Sequence, residues 1–143
     1  MKKTILAFDP GVKNTGWCLY TSENDYECGT LNTESFSQMK DAIVELMKDE
    51  WPNCDAQVAV EDFTFQGWRK TKSGDYRAIP FGSQTAHLVG FIEGLSSGRF
   101  IGCFEAKDTK ANMGWLRKDF KNEHEYSAYC VAHFAAGIEK LEK

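Results

Sequence analysis

An α/β domain built on a mixed sheet is the fold class this sequence predicts, and three observations predict it. Two apolar, β-prone runs, 5–8 and 17–20, flank a polar turn at Pro10-Gly11, the pattern of a strand and its antiparallel return. A later apolar run, 57–60, again ends in acid at Glu61-Asp62, after an intervening stretch with helical spacing. The whole order then reads β-β-β-α-β-α-β-α, and strands separated by helices imply parallel neighbours beside the opening antiparallel pair.

The opening hairpin is the stretch from Ile5 through Tyr20, and its only acid, Asp9, falls where strand becomes turn. Pro10 presets φ for the bend, and Gly11 allows close backbone approach to a ligand. Residues 26–32 suit a third short strand ending in an Asn-Thr-Glu-Ser turn. From 34 or 35 to about 51, Phe36, Met39, Ile43, Leu46 and Met47 recur at three- and four-residue spacing, an amphipathic helix closed by Pro52. Its acids form a solvated face. A central strand follows over 57–63, and 64–80 shows no sustained period. The spacing of Leu88, Phe91, Ile92 and Leu95 predicts a helix over 81–96, in which Gly90 and Gly94 either permit close packing or weaken it. A fifth strand spans 99–104, and a segment with scattered lysines leads to a final helix beginning near Asn122. His124 and Ser127, three apart, share a face of its first turn, with Glu123 close by.

At 143 residues the chain forms one domain, large enough to bury about two-thirds of its unfolded surface. With 42% hydrophobic and 27% charged residues it matches ordinary globular proteins, so disulfide staples are not required. Cys18, Cys28, Cys54, Cys103 and Cys130 are odd in number and lack a C-x-x-C, which argues for reduced thiols in cytoplasm and against structural zinc. Lys2-Lys3 and the apolar run after them imitate a signal peptide, but Asp9 interrupts too early for its apolar region. Nothing is long enough to span a membrane. The net charge of −4 is unevenly spread. Residues 22–62 hold eleven acids against two lysines, whereas 63–143 hold twelve basic residues against nine acids. A basic face for an anionic partner and an acidic face elsewhere fit on one such domain.

Two apolar strands that each deliver a carboxylate at the C-terminal end are what a metal site at a sheet edge requires. If those strands are neighbours, Asp9 and Glu61 converge; read alone, Asp9 is equally a turn cap. Residues 64–80 mix Arg69, Lys70, Lys72 and Arg77 with Phe65, Trp68 and Tyr76, cations for phosphates and flat rings for unpaired bases. The alternative is a surface loop whose aromatics pack down on the body.

Asp9-Pro10-Gly11 with Asn14-Thr15-Gly16, the strand Val58-Ala59-Val60-Glu61, Gly82-Ser83-Gln84 with Gly90, and His124-x-x-Ser127-Ala128 together resemble the RuvC Holliday junction resolvases, most closely the compact phage versions. The resemblance covers nearly the whole chain in order and spacing. It implies an RNase H-like fold, a homodimer, and paired nicking of four-way DNA junctions with divalent metal. Asp9 and Glu61 would be the first- and fourth-strand carboxylates, and His124 would match the first position of the C-terminal pair. The last position, an Asp in the family, is Ser127 here. A hydroxyl brings no charge and is a poor ligand for a hard cation unless carboxylates surround it. Three explanations stay open: an engineered substitution that disables cleavage, a natural site in which Glu123 or Glu125 compensates, or a protein that binds junctions without cutting them.

By this plan two metal ions about 3.5–4 Å apart can carry out phosphodiester hydrolysis; Asp9 would bridge them, Glu61 and His124 would each complete one, and the position of Ser127 would normally complete the other. The imidazole makes Mn²⁺ at least as suitable as Mg²⁺. Junction selectivity would come from shape, with the loop after Glu61 as wedge. Phe63 and Phe65 flank Thr64, where the family commonly places a strand-opening aromatic, and one of them with Trp68 would stack on bases at the crossover. Lys107, Lys110 and Lys118 are candidate phosphate contacts. The exposed apolar residues of the 81–96 helix are a candidate dimer surface. The same first motif also resembles the phosphate loop of actin-like and sugar kinases, but those close two such domains around nucleotide, and no nucleotide cofactor is expected here. A non-cleaving branched nucleic-acid binding module and an RNase H-like nuclease of other substrate class are the closer rivals.

Overall fold

Alternation along the first strand decides how the layers stack. The computed structural model describes residues 4–10, 14–32, 40–47, 56–61, 68–70, 72–74, 76–78, 83–96, 98–111 and 113–141. Strand β1 (Ile5–Asp9) sends Ile5 and Ala7 to one face and Leu6 and Phe8 to the other, and all four are buried. It is central to a five-stranded sheet of order β3-β2-β1-β4-β7. On one side β2 (Asn14–Ser22) and β3 (Asp25–Asn32) continue it as an antiparallel meander. On the other, β4 (Gln57–Glu61) and β7 (Phe100–Phe104) run parallel to it. The mixed five-stranded α/β sheet is therefore the one the apolar runs imply.

Helices cover both faces. Helix α4 (Glu123–Leu141) lays Ala128, Tyr129, Val131, Ala132 and Ala135 on Ile5, Ala7, Cys18, Tyr20 and Ala59. Helix α1, described over 40–47, and α2 (Ser83–Leu95) place Ile43, Met47 and Ile92 against Leu6, Phe8, Val58 and Val60. Each Ile, Leu, Val, Phe or Met among these withdrawn from water contributes about 1.5–3 kcal/mol, and the small residues of α4 let it approach the sheet closely. In the meander, Trp17 lies opposite Gly29, and a Cβ at 29 would overlap the indole. Small cross-strand residues thus make room for a large one.

Helix α2 ends one residue before the expected boundary. The Ser96 hydroxyl donates to the Ile92 carbonyl at 2.6 Å, and Gly98 follows at φ +86°. A Cβ at Gly90 or Gly94 would meet nothing within 4 Å, so these glycines weaken the helix without serving close packing.

The stretch after β4 departs from a structureless loop. It carries a hairpin of β5 (Trp68–Lys70) and β6 (Tyr76–Ala78), with Trp68 opposite Ala78 and Arg69 opposite Arg77. Three-residue strands are too short to show a period, although Ser73-Gly74 at their junction, with Gly74 at φ +92°, is a turn signal. Between β7 and α4 the lysine-bearing segment forms a short helix α3 (Ala106–Thr109) and a 3₁₀ helix (Gly114–Asp119).

Candidate active site

Strand parity aims the two acids at α4. Asp9 follows Ile5 and Ala7, and Glu61 follows Ala59, so both belong to the α4 face of the sheet. β1 and β4 are adjacent and parallel with Phe8 opposite Val60, which puts Asp9 beside Glu61 at the C-terminal ends of both. Their carboxyls are close enough to hydrogen-bond to each other.

Gly16 then places the helix. It lies opposite Asp9 in β2, and a Cβ there would overlap the carbonyl of His124. With no side chain at 16, the first turn of α4 rests on β2, and His124 Nδ1 reaches Asp9 Oδ2 at 3.3 Å. An ionised carboxylate only accepts, so Nδ1 carries a proton and donates it. Asn122 caps the helix by accepting from the Glu125 N–H at 2.9 Å, while its amide reaches the Thr30 hydroxyl at 3.0 Å and Glu125 Oε2 at 3.5 Å.

Two desolvated carboxyls side by side dominate the electrostatics of the site. The Asp9 and Glu61 side chains are only 17% and 14% exposed. Burial pushes Asp9 up to about 6, partly offset by its hydrogen bond with Glu61 and by the Lys110 ammonium. Burial and the neighbouring Asp9 charge push Glu61 up to about 7. Lys110 Nζ lies 3.8 Å from Glu61 Oε1 and 3.9 Å from Glu123 Oε1, and Arg117 donates to the same Glu123 oxygen at 2.8 Å. Both cations also lie over the Tyr126 ring. Glu61 Oε2 is buried with no hydrogen-bond partner. Burial pushes the Cys130 thiol up to about 11, so it is neutral at neutral pH.

Of the residues expected at the site, Asp9, Glu61 and His124 come together. Ser127 is on the same helix but 1% exposed, and Ala128 after it is core. Trp68, Arg69, Lys70 and Arg77 sit on the β5–β6 hairpin, and Lys72 is exposed in its turn. Lys107 is on α3 and Lys118 is exposed on the 3₁₀ helix. Phe63 and Phe65 lie outside the described residues. Lys110, expected only as a phosphate contact, stands beside the carboxylates. Gly16 and Arg117 had no role assigned; for Gly16 the signal was available, because hairpin register alone sets it opposite Asp9. On α2, Leu95 is exposed, whereas Val89, Phe91 and Ile92 pack into the core.

No protein-family model matches the sequence, and no curated protein matches it. Solved structures do match in shape. The chain superposes on RuvC from Thermus thermophilus with a TM-score of 0.64 at 12% identity, covering 97% of this chain and 96% of that one. A second match is T. thermophilus RuvC in complex with a Holliday junction substrate, with a TM-score of 0.58 at 15% identity and 96% of each chain covered. With its meander, two parallel strands and crossing C-terminal helix, this chain has a RuvC-like, RNase H-like fold.

Proposed function

We propose that this chain is a structure-selective endodeoxyribonuclease that acts as a homodimer and resolves four-way DNA junctions by paired, metal-dependent nicking. One observation carries the reading: two desolvated carboxylates, Asp9 and Glu61, side by side on adjacent parallel strands under α4 of a RuvC-like fold.

The donor set fits a divalent cation in kind. Two carboxylates converge, one oxygen of Glu61 is orphaned, and an imidazole stands alongside. Among the described residues no three His, Cys, Asp or Glu side chains are grouped so as to hold a metal ion as they stand, so side-chain rotation would have to accompany binding. Asp9 and Glu61 would hold Mg²⁺ or Mn²⁺, with His124 Nε2 as the nitrogen donor. Such a cation supplies a water activated near neutral pH and a Lewis acid at the scissile phosphate. The chain's own groups do the rest. His124 fixes the orientation of Asp9 through Nδ1, and Lys110 brings positive charge beside Glu61.

The β5–β6 hairpin, with Trp68 and its basic neighbours, serves as the wedge at the crossover. Trp68→Ala is expected to weaken junction binding by about 1–3 kcal/mol, read by gel shift in EDTA. Unchanged affinity for the junction would remove the hairpin from the interface. The substrate class is tested by competition of a labelled four-way junction with linear duplex and RNA–DNA hybrid. Preference for the hybrid would favour the rival RNase H-like nuclease.

Buried Ser127 favours a second reading, a branched nucleic-acid binding module that does not cut. It predicts tight junction binding and no nicking, even for Ser127→Asp.

A further inference from the structure

Resting on the metal-dependent reading above, we propose that Glu123 supplies the acid that position 127 lacks, as an oxygen ligand to a divalent cation held between Glu61 and the first turn of α4. Lys110 marks the place. Its ammonium stands 3.8 Å from Glu61 Oε1 and 3.9 Å from Glu123 Oε1, a monovalent cation between two carboxylates that come from elements far apart in the chain. Beside it, Glu61 Oε2 is buried and has no partner. A divalent ion there satisfies that oxygen and displaces a lysine whose side chain is 26% exposed and free to swing outward.

Serine at position 127 is unsuited to the task. Ser127 is 1% exposed on the inner side of α4, and its hydroxyl adds no charge. Of the two glutamates near it, Glu125 has another occupation. Its N–H is capped by Asn122 at 2.9 Å, and its carboxylate lies 3.5 Å from the Asn122 amide. Glu123, two residues earlier, is turned toward Lys110, and its charge acts on both Asp9 and Glu61. Glu123 is half-exposed, and its contacts are to Arg117 and Lys110, so its carboxylate can move without disturbing the core.

The test is Mn²⁺ affinity, read by the EPR signal of free Mn²⁺ at pH 7.5 without DNA. Glu123→Gln is expected to weaken binding on the order of 10–100-fold, and Glu125→Gln to leave it unchanged. Adding Ser127→Asp to Glu123→Gln is expected to restore binding, which loss of a merely structural Glu123–Arg117 bridge would not permit. Circular dichroism of each variant separates misfolding from ligand loss. If Glu123→Gln binds Mn²⁺ as the unmodified chain does while Asp9→Asn does not, the inference is overturned and the site reading stands. If Asp9→Asn also leaves affinity unchanged, the metal site itself is wrong.

Discussion

Asp9→Asn is expected to lower junction nicking by on the order of 10²–10³-fold while junction binding in EDTA stays intact. The substitution keeps the size of the side chain and an oxygen for His124 Nδ1, and removes only the charge. The same variant carries a thermodynamic signature. Asp9 and Glu61 are pushed up by burial to about 6 and about 7. A carboxyl whose pKa rises on folding binds its proton more tightly when folded. Its cost to stability is absent below the unfolded value near 4 and complete above about 7. Without metal, Asp9→Asn is therefore expected to raise the melting temperature more at pH 8 than at pH 5. Mn²⁺ is expected to raise the melting temperature of the unmodified chain at pH 8 and that of Asp9→Asn much less. Scanning calorimetry at the two pH values, with and without Mn²⁺, checks both. Equal gains at pH 5 and pH 8 would mean that the carboxyl is not desolvated as described.

Gly16→Ala is expected to destabilise the fold by about 1–3 kcal/mol and to depress nicking beyond what its lost stability explains. The added methyl overlaps the carbonyl of His124, a backbone group that no rotamer change can move aside. Either α4 lifts from β2 or the strand bends, and in both cases His124 leaves Asp9. Gly90→Ala is the paired control. Its methyl would enter open space on α2, where alanine in place of glycine is expected to stabilise by about 0.5–1 kcal/mol. Urea unfolding of both variants reads the contrast, and a neutral Gly16→Ala would refute the helix-on-strand contact.

Much of this was legible before any coordinates because it rests on short-range rules. Period-two alternation in 5–9 and 57–61 places Asp9 and Glu61 on one sheet face, and the apolar character of both runs marks them as interior strands. The parallel pairing that makes the acids neighbours was a conditional reading, since register between strands almost fifty residues apart has no local signature. Lys110 is the clearest case of what stayed hidden. One lysine among several in a basic segment looks like any other, and only the fold of α3 against α4 carries it to Glu61. The β5–β6 hairpin was missed because three-residue strands give no periodicity. The proposed choice between Glu123 and Glu125 also rests on geometry, because both lie in the same helical turn and what distinguishes them is the pairing of one with Lys110 and Arg117 and of the other with Asn122.

The account is tested most directly by strand-resolved nicking of a labelled four-way junction by the unmodified chain, beside linear duplex, in Mg²⁺ and in Mn²⁺. It predicts paired, symmetric nicks in the junction alone, abolished by EDTA and at least as fast in Mn²⁺ as in Mg²⁺. A junction that is bound tightly but left uncut in both metals, by this chain and by Ser127→Asp alike, would contradict it.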